Sequence, residues 1–150
     1  MTPAQTPEQA FIVLDASVWV ARLVSQDEFH EPVKTWMEKQ RETGAQFISP
    51  ALLLAEVGGA ITRRTGDPAL SKRAITQLER LPGLRLVDMD HELVREAARL
   101  AAELGLRGAD SLYVATARQL GLPLVTFDVD QRARAQARVT IRSISDDAGA

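Results

Sequence analysis

The sequence predicts an α/β fold built on a mostly parallel central sheet of about five strands. Short apolar runs of the kind a buried parallel strand shows recur along the chain, each followed by a longer segment with helical spacing. Two of these runs end abruptly in aspartate, as in FIVLD and PLVTFD. In open parallel sheets that is the strand end where ligands bind.

The elements follow in order. FIVLD (11–15) is the first strand, and ASVWVARLV after it changes to helical spacing. DEFHEPVKTWMEKQRETG places Phe29, Val33, Trp36 and Met37 on one helical face and stops at Gly44. Core packing is the expected use of both Phe29 and Trp36, with a partner groove as the alternative. QFISP is a short strand closed by Pro50, and ALLLAEVGGAITRRTG is a largely buried helix. DPALSKRAITQLERLPG is an amphipathic helix with Pro68 in its first turn. LRLVDM is a strand, and DHELVREAARLAAELG a periodic helix starting from an Asp90 cap. ADSLYVATARQLG is an alanine-rich buried helix, LPLVTF a strand, DVDQRARAQ a short helix and VTIRSI the last strand.

With 150 residues the chain is long enough for one domain with its own core. That domain is expected over 11–145, with flexible tails at 1–10 and 146–150. The net charge of −2 makes the protein as a whole no magnet for nucleic acid, so a nucleic-acid site needs a local basic patch or bound cations. The absence of cysteine excludes disulfides, thiol catalysis and thiolate metal sites, and fits a cytoplasmic location. No apolar stretch is long enough to span a bilayer, and MTPAQTPEQA lacks the pattern of a signal peptide.

Among 20 acidic residues, four stand in apolar settings: Asp15 after FIVL, Glu56 within LLLAEVGGA, Asp110 in RGADSLYVATA and Asp128 after PLVTF. Carboxylates so placed are costly unless paired, hydrogen-bonded or bound to a metal. Each aspartate precedes or opens a helix, so capping explains any one of them as well as a site does, and the two roles are compatible. Glu56 lies inside a helix and cannot be a cap. Its helical neighbours include no base, so it needs a partner from elsewhere, either a distant arginine or a shared cation. Converging acids would repel one another, and Mg²⁺ or Mn²⁺ resolves that conflict because hard cations prefer oxygen ligands. Such a site suits metal-assisted hydrolysis of a phosphodiester. Zinc is disfavoured, since His30 and His91 form no ligand-spaced pair.

These acids, in this order and these settings, resemble the PIN domain, a family of metal-dependent ribonucleases, and most closely its VapC-like toxins from toxin–antitoxin pairs. VLDAS, LLLAEV, RGADSLYVATA and LVTFDVD carry the resemblance, which spans Phe11 to about Ile144. It implies a three-layer α/β/α fold. It also implies that Asp15, Glu56, Asp110 and Asp128 hold one or two Mg²⁺ or Mn²⁺ ions, with Ser17 and Thr126 in support. Asp130 either shares the role of Asp128 or begins the following helix, and the spacing from Thr126 favours Asp128. Water held by the metal would hydrolyse RNA to a 5′-phosphate and a 3′-hydroxyl. A homodimer and an antitoxin partner are further implications.

Cations facing the phosphates are sought in Arg132 and Arg134, which directly follow the fourth acid, and in Arg107 ahead of Asp110. Arg63 and Arg64 form a second patch. A solvated arginine face is the alternative for each. Adjacent Gly58 and Gly59 inside a helix cost about 2 kcal/mol relative to alanines and point to a close approach there, within the domain or across a dimer. Two other readings compete with a toxin nuclease: a catalytically idle PIN-fold scaffold and a stand-alone PIN nuclease.

Overall fold

The structure, a computed structural model, describes residues 10–147. The expected tails at 1–9 and 148–150 lie outside the described residues, whereas the backbone of 146 and 147 belongs to a short 3₁₀ turn, Ile144–Asp147.

Four parallel strands form the sheet: β1 (Phe11–Leu14), β2 (Gln46–Pro50), β3 (Leu84–Val87) and β4 (Leu124–Val125). Their order is β3-β2-β1-β4, so β1 is central and its carboxyl end adjoins that of β4. The register pairs Val13 with Leu124 and Leu14 with Val125. On the other side, Phe11–Val13 pair with Gln46–Ile48.

The two-residue period of a strand sorts the side chains of β1 to two faces. Ile12 and Leu14 enter one core with Trp19, Phe47, Val57 and Leu78. Val13 enters the other with Leu93, Leu100, Tyr113 and Val114. Helices α1 (Ala16–Leu23), α2 (His30–Glu42), α3 (Leu53–Thr65) and α4 (Pro68–Arg80) supply the first core. Helices α5 (His91–Leu104) and α6 (Gly108–Leu120) supply the second, giving the expected α/β/α layers. A short α7 (Val129–Ala135) follows β4. Among the described residues no helix is long and apolar enough to cross a membrane.

Three expectations change. The last strand, VTIRSI, contracts to one parallel bridge between Leu124 and Ile141, flanked by hydrogen bonds from Leu124 N to Thr140 O and from Arg142 N to Leu124 O. The partner strand is only two residues long before Thr126 turns inward, so little edge remains to pair with. Phe29 does not join the core: α2 starts one residue later, and Phe29 is 40% exposed while Val33, Trp36 and Met37 are buried. The close approach at the paired glycines lies within the domain. A Cβ on Gly58 would stand 2.9 Å from Ile75 Cδ1 of α4, so the end of the Ile75 side chain would have to move aside for it.

Candidate active site

Asp15 sits where β1 ends and α1 begins. Its Oδ2 caps α1 by accepting from Ser17 N at 3.2 Å, and it also accepts from Ser17 Oγ at 2.6 Å and Thr126 Oγ1 at 3.1 Å. Burial raises its pKa above the ordinary carboxyl value, despite the opposing hydrogen bonds from Ser17 and Thr126. Ser17 Oγ in turn accepts from Phe127 N at 3.1 Å. The supporting pair, Ser17 and Thr126, therefore ties the β1–α1 junction to the β4–α7 junction.

Asp128 caps α7, its Oδ1 accepting from Gln131 N at 2.9 Å, while its own N–H donates to Thr126 Oγ1 at 3.1 Å. Asp110 is not a cap. It lies in the first turn of α6, whose cap position is held by Arg107 without a side-chain hydrogen bond. Its pKa is pushed up to about 6, first by burial and then by the charges of Asp15, Asp128 and Glu56, with Arg107 opposing. The four acids, from four separate segments, are therefore electrostatic neighbours.

Glu56 projects from α3 with Oε1 buried and no hydrogen-bond partner. Desolvation raises its pKa most; the Tyr113 hydroxyl and Arg63 lower it and Asp15 raises it further. The Tyr113 hydroxyl faces Glu56 but is itself buried without a partner at hydrogen-bonding geometry. Among the described residues none of the four acids forms an ion pair, so the distant-arginine explanation of Glu56 does not hold here.

Asp130 stands apart. It is exposed and paired with Arg134 one turn later, Nε to Oδ1 at 2.9 Å. Arg134 also donates to Leu104 O at 3.1 Å, so this pair braces α7 against the end of α5 and neither partner faces the acids. Arg138 is bound to Glu103 and Arg64 to Asp27. Arg132 donates from Nη2 to Thr126 O at 3.0 Å, and its Nε is buried without a partner. Arg63 lines a cleft of about 550 Å³ together with Glu56, Ser17 and Phe127.

Gln131 was not singled out by the sequence, yet it is fully buried and knits the site. Its Oε1 accepts from Thr126 Oγ1 at 3.0 Å, and its Nε2 donates to Asp110 O at 3.3 Å. A signal was present: Asp128 followed three residues later by glutamine has the spacing of a capping box.

The donor set fits a hard divalent cation. It offers four carboxylates without a base partnered to any of them and an orphaned buried Glu56 oxygen, and it has no sulfur or imidazole. As the side chains lie, no three acids or histidines among the described residues stand close enough to enclose an ion. The combined strain of burial and repulsion at Asp110 is measurable. Asp110 binds its proton more tightly in the native state than unfolded, so its contribution is full below pH about 3.8 and is lost as pH rises through about 6. In chelator, melting at pH 5 is expected above that at pH 7 by roughly 2–4 °C, about 1 kcal/mol for a carboxyl that keeps part of its hydration. A melting temperature that rises from pH 5 to pH 7 would contradict the raised pKa of Asp110.

The PIN domain family model matches residues 12–137. No match was found among curated proteins. Among solved structures, the chain is similar to Mycobacterium tuberculosis VapC20, a Sarcin-Ricin loop cleaving toxin, at TM-score 0.72 and 21% identity, covering 87% of this chain and 98% of that one. It is also similar to VapBC2 from Rickettsia felis, bound to a DNA fragment from its promoter, at 0.69 and 14%, covering 89% and 98%. FitAcB from Neisseria gonorrhoeae matches at 0.65 and 22%, again covering 89% and 98%. At these identities the likeness is one of fold.

Proposed function

The chain belongs to the PIN domain family, and from that premise we propose that it is a divalent-cation-dependent endoribonuclease acting at Asp15, Glu56, Asp110 and Asp128. The observation that carries the reading is the convergence of these acids, with Asp15 buried and the other three half-buried. Burial, and then the charges of the other three, raise the pKa of Asp110 to about 6, and no base forms an ion pair with any of them. Such a cluster does not stabilise a fold, because the nearby charges of Arg63 and Arg107 do not offset the burial and repulsion that raise the pKa values of Glu56 and Asp110.

Mg²⁺ or Mn²⁺ bound among these carboxylates would supply an activated water and positive charge for the phosphoryl oxygens. The protein's own residues do the positioning. Asp15 is held in one orientation by Ser17 and Thr126, and Asp128 by its cap on α7. Gln131 fixes Thr126 relative to the backbone at Asp110. Arg63 and Arg132 are the cations best placed to meet RNA phosphates, and Arg107 acts on Asp110 from the cap of α6. Asp130 and Arg134 are assigned a structural part instead.

The toxin half of the reading rests on the likeness in fold to VapC20, VapBC2 and FitAcB. It brings with it an antitoxin partner, a homodimer and a cytoplasmic location. The nuclease half is tested by incubating purified protein with RNA and Mg²⁺ or Mn²⁺ and analysing the new ends. The expected products carry 5′-phosphate and 3′-hydroxyl. A 2′,3′-cyclic phosphate would mean that the ribose hydroxyl, not water, is the nucleophile, and would overturn the mechanism.

A further inference from the structure

We propose that the apolar groove beside the acid cluster is a nucleobase subsite. It would receive one unstacked base of a single-stranded RNA next to the phosphate held at the acids. This deepens the nuclease reading and rests on it.

The groove, about 730 Å³, is lined by Phe29, Pro32, Trp36, Phe127, Val129 and Ile144. It is continuous with the candidate site, because Phe29 and Phe127 also line the cleft that holds Glu56, Ser17 and Arg63. Their rings stack with centroids 4.7 Å apart and planes at 26°. Phe127 lies between Thr126, which donates to Asp15, and the proposed ligand Asp128, and its N–H is held by Ser17 Oγ. A strand with one phosphate at the acids therefore brings the adjoining base to this aromatic wall.

The wall is open to solvent. Phe29 is 40% exposed and Val129, next to Asp128, is 76% exposed. Lys39 and Arg132 border the groove against a single acid, Glu31. Among the described residues neither cation pairs with a carboxylate. Aromatic faces bordered by cations that no carboxylate neutralises suit single-stranded nucleic acid, whose bases stack while its phosphates meet the charges. A duplex keeps its bases stacked inside and has none to offer.

The test is a fluorescence titration with a short unstructured oligoribonucleotide carrying 2-aminopurine. It is run with Ca²⁺ in place of Mg²⁺, so that an oxygen-seeking cation still holds the phosphate while cleavage is suppressed, alongside the same strand made abasic at that position. The wild-type protein is expected to bind the intact strand roughly 5- to 150-fold more tightly than the abasic one, the range of one base–aromatic stack. Phe29→Ala should remove that preference, and Phe29→Trp should keep it. Val129→Asp, which leaves the aromatics in place but repels phosphate, should weaken both strands. Equal wild-type affinity for the two strands overturns the subsite. So does an undiminished preference in Phe29→Ala, including the case where that variant instead loses a protein partner. Cleavage in Mg²⁺, measured in parallel, separates the two readings. Cutting without base preference retains the nuclease and removes the subsite; base preference without cutting does the reverse.

Discussion

Asp110→Asn is expected to lower RNA cleavage on the order of 10²–10³-fold or more while leaving the fold intact. The side chains are nearly isosteric, so the packing at the start of α6 has no reason to change. What changes is charge, at the acid that feels the other three most: burial and the fields of Asp15, Asp128 and Glu56 together hold its pKa near 6. Removing that charge relieves repulsion, so the metal-free variant should melt no lower than the wild type at pH 7. Loss of activity with retained or increased stability is the pattern of a functional acid. Cleavage within tenfold of wild type would remove Asp110 from the site, and a large loss of stability would recast it as structural.

The second large effect is expected at Gln131, which touches no substrate. Gln131→Leu keeps the volume but deletes the acceptor for Thr126 Oγ1 and the donor to Asp110 O. Thr126 Oγ1 keeps Asp15 as acceptor and Asp128 N as donor, so the loss is that of two ordinary hydrogen bonds, about 0.5–1.5 kcal/mol each. Thr126 also holds Asp15, and residues that orient metal-binding carboxylates typically contribute 10–100-fold in affinity or activity. The expected signature is a rise of roughly tenfold or more in the Mn²⁺ concentration for half-maximal cleavage, with the rate partly restored at high Mn²⁺. A merely structural glutamine would lower the melting temperature and leave the cation requirement unchanged.

The parts of this site legible from the chain are those whose cost is local. A carboxylate directly after an apolar run, or on the buried face of a helix, is conspicuous whatever surrounds it, so Asp15, Glu56, Asp110 and Asp128 all stood out. Between Asp128 and Asp130 the sequence offered only the spacing from Thr126, which favours Asp128 without excluding Asp130; the ion pair of Asp130 with Arg134 is a feature of the structure. Tyr113 was not legible, because nothing near it in sequence says that it will be buried against an acid from another segment. For Gln131 the capping-box spacing after Asp128 points to a helix start but not to burial against Thr126 and the backbone at Asp110. Phe29 was misplaced for a related reason. Helical periodicity put it on the face of Val33 and Trp36, but the helix begins only after it and leaves the ring on Phe127. The fold was readable as alternating strands and helices around a mostly parallel sheet, though not its strand order. It failed at the last strand, whose pairing depends on how much edge β4 leaves exposed.

The central claim is that these four acids work by sharing a divalent cation, and the most direct measurement is RNA cleavage by the purified wild-type protein with Mg²⁺ or Mn²⁺ and with excess chelator. The structure predicts cutting only in the presence of the cation, restored when it is added back. Undiminished cutting in chelator would contradict it.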